Sequence, residues 1–437
     1  MLNLVSVAGL FILMAIAWLF SPYKRRVNWR VIAWGLVFQA LVAVFIFYVP
    51  VGGRVFLFVN HLVVKLLQSA TAGSEFVFGL LALPPGTSSA DGASSLGFIL
   101  AFQGLPTIIF FSALMAILYY YGIMSRVIKA FAYLFTRLMR ISGAESLCAA
   151  SNIFVGAESA FTIRPHIKTM TRSELCTILT AGMSTVASNV LALYIFSLQN
   201  QFPTIAGHLI SASFLSAPAA LIMSKLVLPE TGEPVTLGRT VEPVYEKEQS
   251  VFGAIINAAN SGVRVILSIA ALLIAVIGMV SLADLLLGLL GTQLNHLVGI
   301  EFDWSLKHLL GYLFYPLTVI LGVPLPDAGT VAQIIGERVV LTEVASYQDL
   351  GKAIAGGVLT NPRSIVITAY ALCGFAHLAS VAIFVGAVSA LAPSRTQDLA
   401  KLGFRALVAA TLACLMTACI AGVFYSAQTG MVLQPAG

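Results

Sequence analysis

Residues 147–164 read LCAASNIFVGAESAFTIR, and residues 309–347 read LLGYLFYPLTVILGVPLPDAGTVAQIIGERVVLTEVASY. Both are apolar enough for a membrane, yet Gly or Pro breaks each one. Each also carries a glutamate near or soon after its break, Glu158 in the first and Glu343 in the second. Irregular backbone at membrane depth persists only where protein buries it or where it lines a cavity, so both stretches are read as re-entrant hairpins. Each is followed by a helix interrupted by small and polar residues, AGMSTVASNVLALY (181–194) and ALCGFAHLASVAIF (371–384), and then by one plain apolar helix. An acidic side chain at that depth costs about 2.5–3.5 kcal/mol. One such glutamate is as easily a structural ion pair, but two at matched places point to a function. Asn189 and His377 take comparable places in the two interrupted helices. A lone His among apolar residues is commonly a satisfied structural group, although Gly374 and Ser380 beside His377 permit a helix break.

The remaining sequence supplies the membrane. Of 437 residues, 59% are hydrophobic and only 10% charged, against about 25% charged in soluble domains. The net charge of +6 sits in short basic clusters between apolar runs, which is a topology signal rather than a nucleic-acid surface. Nucleic-acid binding, a secreted disulfide scaffold and a disordered interaction protein are excluded. Cys148, Cys176, Cys373, Cys414 and Cys419 form no CxxC and no metal pattern, and are read as small buried hydrophobes.

A spanning helix needs about 20 mostly apolar residues. Runs that qualify are 1–20, 31–48, 97–121, 177–198, 205–228, a long one from about 255 past 280, 367–392 and 404–425. Lys24, Arg25, Arg26 and Arg30 follow the first run instead of preceding it, so it is read as a retained helix and not a signal peptide. The positive-inside rule then puts both termini outside a cell inner (plasma) membrane crossed by about eight helices. Residues 55–68 carry His61 and Lys65 and are expected in the interface; 82–96 is a loop. Arg126, Lys129, Arg137 and Arg140 recur at helical spacing with Tyr133, the pattern of an amphipathic helix on the cytoplasmic surface. Residues 229–250, rich in Glu, Gly and Pro, form a cytoplasmic linker. The expected organisation is an all-α polytopic membrane protein in four parts: N-terminal scaffold helices with the interfacial helix (1–145), a first transport repeat (146–228), a linker and long scaffold helix (229–307), and a second repeat (308–437). In this topology one hairpin enters from the cytoplasm and the other from outside. Inverted repeats with broken helices are how secondary transporters build a midplane site.

Four longer motifs carry a resemblance: FQGLPTIIFFSALMAILYYYG (102–122), TAGMSTVASNVLALY (180–194), SAPAALIMSKLVLPET (216–231) and AYALCGFAHLASVAIFVGAVSALAP (369–393). In order and over essentially the whole chain, they resemble the concentrative nucleoside transporter family. The resemblance implies a homotrimer and cation-coupled nucleoside uptake by an elevator-like movement. It implies that Glu158 meets the nucleobase, that Glu343 and Ser380 meet the ribose, and that Val190 and Phe375 wall the base pocket. It also implies a sodium site at Asn152, the Val155 carbonyl, Thr185 and the Val186 carbonyl, oxygen ligands that suit a hard cation.

Three departures bear on substrate. The first hairpin reads NIFVGAE (152–158), one residue shorter than the family's NIFVGQTE and without its glutamine. Thr342 stands where the family has Asn before the glutamate, and His377 stands where it has a ribose-binding Asn. The expectation is therefore a sodium- or proton-coupled nucleoside symporter, with a modified nucleoside, a nucleobase or a related hydroxylated heterocycle as the alternative cargo. Asn152 and Thr185 favour sodium, while His377 leaves protons open. An enzyme is not expected, since neither HExxH nor GxSxG is present to go with the carboxylates.

Overall fold

The computed structural model describes residues 1–88, 92–244, 248–299 and 301–426, and within them every named element is helical. The chain runs through α1 (Leu2–Leu19), α2 (Trp29–Phe47), α3 (Pro50–Phe78), α4 (Leu100–Gln103), α5 (Thr107–Tyr120), α6 (Ile123–Met139), α7 (Gly143–Asn152), α8 (Arg172–Ser184), α9 (Ser188–Leu198), α10 (Ile205–Val227), α11 (Val251–Val298), α12 (Leu306–Ile320), α13 (Leu325–Arg338), α14 (Glu343–Ala355), α15 (Pro362–Leu372), α16 (Leu378–Leu391) and α17 (Thr396–Phe424). Among the described residues, seven helical stretches are long and apolar enough to cross a membrane: α1, α2, α3 with the turn after it, α4–α5, α10, α11 and α17. The pairs α8–α9 and α15–α16 supply further apolar length in two pieces each.

Residues 55–68, expected in the interface, form the middle of the 29-residue α3. Pro50 opens this helix at a position that needs no amide donor. His61 and Lys65 are exposed, while Phe56, Asn60, Leu67, Ala70 and Ser74 fill the buried face, so two polar residues do not interrupt the run. The 97–121 segment bends at Gly104–Pro106 between α4 and α5, where proline cannot continue the hydrogen-bond ladder. The Gln103 amide holds the approach to that bend by donating to Leu83 O at 2.8 Å and Gly97 O at 2.7 Å.

The amphipathic α6 forms as its spacing requires, burying Met124, Ile128, Ala132, Phe135, Thr136 and Met139 and exposing Tyr133. The 229–250 segment folds back over the start of α7, where Gly143 N–H donates to Thr236 O at 2.9 Å and Lys129 pairs with Glu242. Its Glu246 and Lys247 lie outside the described residues. At 48 residues α11 is about 70 Å long, and its most apolar stretch is unburied within this single chain. The packed centre is built by α8, α10, α15 and α17; 89% of the most apolar window of α10 is buried. One buried ion pair ties its parts together. Lys225 at the end of α10 meets Glu145 at the start of α7, and also donates to Ser173 Oγ at 3.0 Å.

The first candidate hairpin is α7, a break at 153–156, and a 3-10 stretch Ala157–Ile163. The second stretch differs from its expectation of one helical half on each side of one break. It holds three helices, α12, α13 and α14, with two interruptions. Gly322 (φ 85°) and Pro324 end α12 and turn the chain so that α13 packs back along it. The second interruption, at 339–342, precedes Glu343.

Candidate functional site

Four chain breaks meet at the centre of the molecule. The interrupted helices are open at 185–187, between α8 and α9, and at 373–377, between α15 and α16. Each opening is bonded to the break of its own hairpin in the same way. Ser188 N–H, at the first residue of α9, donates to Phe154 O at 3.2 Å; Leu378 N–H, at the first residue of α16, donates to Val339 O at 3.0 Å. The two halves then touch through Gly374 (φ 138°), where an added Cβ would lie 2.8 Å from Ser184 O and 2.7 Å from Cys414 Sγ. Only glycine combines that backbone angle with that approach.

Glu343 opens α14 and is 2% exposed. Tyr194 of α9 donates its hydroxyl to Oε1 at 2.7 Å, so this acid bridges the two halves. His377 Nε2 sits 3.0 Å from Oε2, within pairing distance. The other imidazole nitrogen has a separate task. His377 is the N-cap of α16, and its Nδ1 accepts from Ser380 N–H at 3.2 Å. An accepting Nδ1 leaves the proton of the neutral ring on Nε2, which faces Glu343. Ser380, expected beside a sugar, spends its hydroxyl inside the same capping box: it donates to His377 O at 2.6 Å and accepts from His377 N–H at 3.3 Å. Phe375 lies between the two buried clusters of the molecule, its ring 6.3 Å from the imidazole. Val190 is buried on α9.

Glu158 is placed differently from Glu343. It is exposed, at the start of the 3-10 stretch beyond the first break, and one carboxylate oxygen lies near Gly156. The side chain of Asn189 lies outside the described residues.

Asn152, Val155, Thr185 and Val186 flank the contact between the first hairpin and the first interrupted helix. Asn152 is the last residue of α7 and fully buried. Its amide donates to Cys148 O at 3.0 Å, and its Oδ1 has no hydrogen-bond partner. Thr185 caps the C-terminus of α8 in an extended conformation; its hydroxyl donates to Ala181 O at 2.9 Å, which leaves the oxygen lone pairs free to accept. Buried acceptor oxygens at two helix C-termini suit a hard cation.

Sequence reasoning missed three buried groups. Tyr194 holds Glu343, and Tyr347 stacks on Tyr194 with centroids 4.8 Å apart while donating to Ala369 O. Arg338 ends α13 beside the second break. A phenol within two turns of a helix break, and a cation directly before one, were the available signals. A cavity of about 490 Å³ lies elsewhere, lined by Val64, Leu67, Gln68, Thr71 and Glu75 of α3 among others, and none of the expected site residues lines it.

Comparison with known proteins gives three family matches: the Na+ dependent nucleoside transporter N-terminus over residues 8–81, a nucleoside recognition (Gate) model over 101–201, and the Na+ dependent nucleoside transporter C-terminus over 208–422. An uncharacterized transporter of Haemophilus influenzae is 37% identical over 430 residues, covering 96% of this chain and 97% of that protein. Solute carrier family 28 member 3 of the mouse is 35% identical over 96% of this chain, which spans only 59% of the mouse protein's length. Sodium/nucleoside cotransporter 1 of the rat is 33% identical over 97% of this chain and 64% of its own length. Among solved structures, CNTnw in an inward-facing substrate-bound state superimposes with a TM-score of 0.85 at 33% identity, covering 97% of this chain and 98% of that one.

Proposed function

This chain belongs to the concentrative nucleoside transporter family, and from that membership we propose that it is a cation-coupled symporter that brings nucleosides into the cell. It is an all-helical polytopic membrane protein. The observation that carries the reading is Glu343: a buried carboxylate at the meeting point of four chain breaks, held by a phenol from one half and facing an imidazole from the other. A carboxylate offers about four lone-pair positions, and two contacts leave acceptor capacity for sugar hydroxyls. In this reading Val190 and Phe375 supply apolar walls for a base, and the exposed Glu158 faces it from the first hairpin. Ser380 acts by fixing the N-cap that aims His377.

The coupling ion is sodium, held by Asn152 Oδ1, Thr185 Oγ1 and the carbonyls of Val155 and Val186. The unpartnered Asn152 oxygen and the accepting capacity of Thr185 support this assignment. Half-helix ends supply the remaining electrostatics without an added charge. The two hairpin–interrupted-helix units form an inverted repeat, supported by the matched hydrogen bonds Ser188–Phe154 and Leu378–Val339. The protein works as a homotrimer in the cell inner membrane, both termini outside, with the repeat units moving as an elevator. The same relative has been solved in inward-facing, outward-facing and intermediate states, each matching this chain at TM-scores of 0.84–0.86.

The test is radiolabelled uridine uptake into proteoliposomes under an imposed sodium or proton gradient. Uphill accumulation that needs the sodium gradient is expected. Uptake that only equilibrates, or that ignores both gradients, rejects symport. Because His377 and Thr342 replace family asparagines and the first hairpin lacks a glutamine, a modified nucleoside or a nucleobase is the second reading. Competition by a panel of nucleosides and bases separates the two.

A further inference from the structure

Arg338 is the largest fully buried side chain in the described residues, with none of its surface exposed. A guanidinium so placed normally meets a carboxylate, because an unpaired buried charge is strongly unfavourable. Here no carboxylate lies within ion-pair distance among the described residues. Nη1 donates to Ala371 O at 2.5 Å, and neither Nε nor Nη2 has a hydrogen-bond partner. What surrounds the charge is instead two helix ends, with the Cys414 thiol of α17 beside it. Arg338 is itself the last residue of α13, and Ala371 is the penultimate residue of α15. Helix C-termini present unsatisfied carbonyls and the negative end of the dipole, which together attract a cation.

The first half of the molecule has the same construction. Asn152 is the last residue of α7, Thr185 caps the C-terminus of α8, and the hairpin break that follows Asn152 bonds to the next half-helix as the break after Arg338 does. At that position the side chain is neutral and ends in an unpartnered oxygen, an arrangement that asks for a cation from solution. In the second half the cation is covalently attached.

We propose that Arg338 is a built-in cation occupying, in the second half, the place that the mobile coupling ion takes in the first. The converging C-termini of α13 and α15 are thereby neutralised in every conformation, and only the first half can load and release an ion. Each transport cycle therefore moves a single sodium ion. This inference rests on the sodium-coupled reading above and fixes its stoichiometry.

The experiment uses the full chain, purified and reconstituted. Charge moved per uridine, from parallel current and uptake measurements, is expected to be one, with a Hill coefficient for sodium near one. Thermal unfolding in detergent is then followed for Arg338→Lys, Arg338→Met and Arg338→Ala at constant ionic strength. Lys should behave as wild type. Met should unfold at lower temperature and acquire a steeper stabilisation by sodium, with a Hill coefficient above one. Ala should be stabilised by millimolar methylguanidinium, which leaves the wild type unaffected. Two charges per uridine in the wild type overturn the inference whether or not any variant folds. So does an Arg338→Met protein with the wild-type unfolding temperature and sodium response. A wild type with no sodium-dependent uptake or binding at all rejects the transport reading instead, and is distinguishable from either result.

Discussion

His377 separates two tasks that a pair of substitutions can measure apart. Its Nδ1 caps α16 through Ser380 N–H at 3.2 Å, and its Nε2 faces Glu343 Oε2 at 3.0 Å. Replacing it with Ala removes both. Loss of a side-chain N-cap costs about 1 kcal/mol, and loss of a donor to a buried charged acceptor costs about 1.5–3 kcal/mol. His377→Ala should therefore destabilise by about 2.5–4 kcal/mol. Asparagine is among the best N-caps but is too short to cap and reach Glu343 together, so His377→Asn should lose only the second part, about 1.5–3 kcal/mol. The same substitution frees Oε2 for a ligand. With every 1.4 kcal/mol worth tenfold, uridine binding should strengthen by about tenfold or more relative to uracil, which has no ribose hydroxyl to offer. The assays are thermal unfolding in detergent and equilibrium binding of uridine and uracil. Equal destabilisation by Ala and Asn refutes the capping role. An unchanged uridine-to-uracil ratio in His377→Asn refutes the idea that the imidazole competes for the carboxylate.

Glu343→Gln keeps the size of the side chain and loses the charged acceptor, so uridine accumulation should disappear in a protein that still elutes as a single folded species; wild-type uptake would remove Glu343 from the site. Thr185→Val removes one oxygen at constant shape, and apparent sodium affinity should fall several-fold, read from the sodium dependence of uridine binding, while the unfolding temperature changes by less than for His377→Ala. Lys225→Met leaves Glu145 buried and unpaired, a loss of about 3–5 kcal/mol. Adding Glu145→Leu should restore much of the unfolding temperature lost, and no restoration would mean that the pair does not stabilise the fold.

Apolar run length, basic clusters and Gly- or Pro-marked breaks were readable because membrane insertion acts on them directly. That is why α1, α2, α10, α11 and α17 lie where the runs lie, and why the openings at 185–187 and 373–377 were visible as small polar residues inside apolar helices. What failed depended on neighbours. The segment around His61 and Lys65 is longer than its apolar letters suggested, because both lie on one exposed face of the 29-residue α3. The 309–347 stretch hid the boundary between α12 and α13, because apolar residues continue through Gly322 and Pro324. Glu158 and Glu343 look equivalent as letters, but only Glu343 is enclosed, by Tyr194 and His377 arriving from 149 residues before and 34 residues after it. Arg338 escaped notice for a similar reason: its setting is made by the end of another helix.

Under the proposed symport, the arrangement of the breaks also gives ion and solute a way to influence each other without sharing a ligand. Binding at one site alters affinity at another only if both favour the same arrangement of some element between them, and the effect is reciprocal. Here that element is backbone. The proposed ion ligands Thr185 and Val186 follow directly on Ser184, whose carbonyl is the surface that Gly374 packs against. Gly374 lies in the same opening as His377, which faces Glu343; Glu343 is held in turn by Tyr194, on the helix that begins three residues after Thr185. The loop closes on itself through α9. An ion that fixes the end of α8 and the start of α9 therefore fixes the height and direction of Tyr194, and with it the orientation of the Glu343 carboxylate. Side-chain contacts could slip within such a loop, but the amide–carbonyl bonds Ser188–Phe154 and Leu378–Val339 tie each opening to its hairpin. Each opening is thereby tied to its own hairpin, which is the mechanical condition that the proposed movement of both ligands in one step requires.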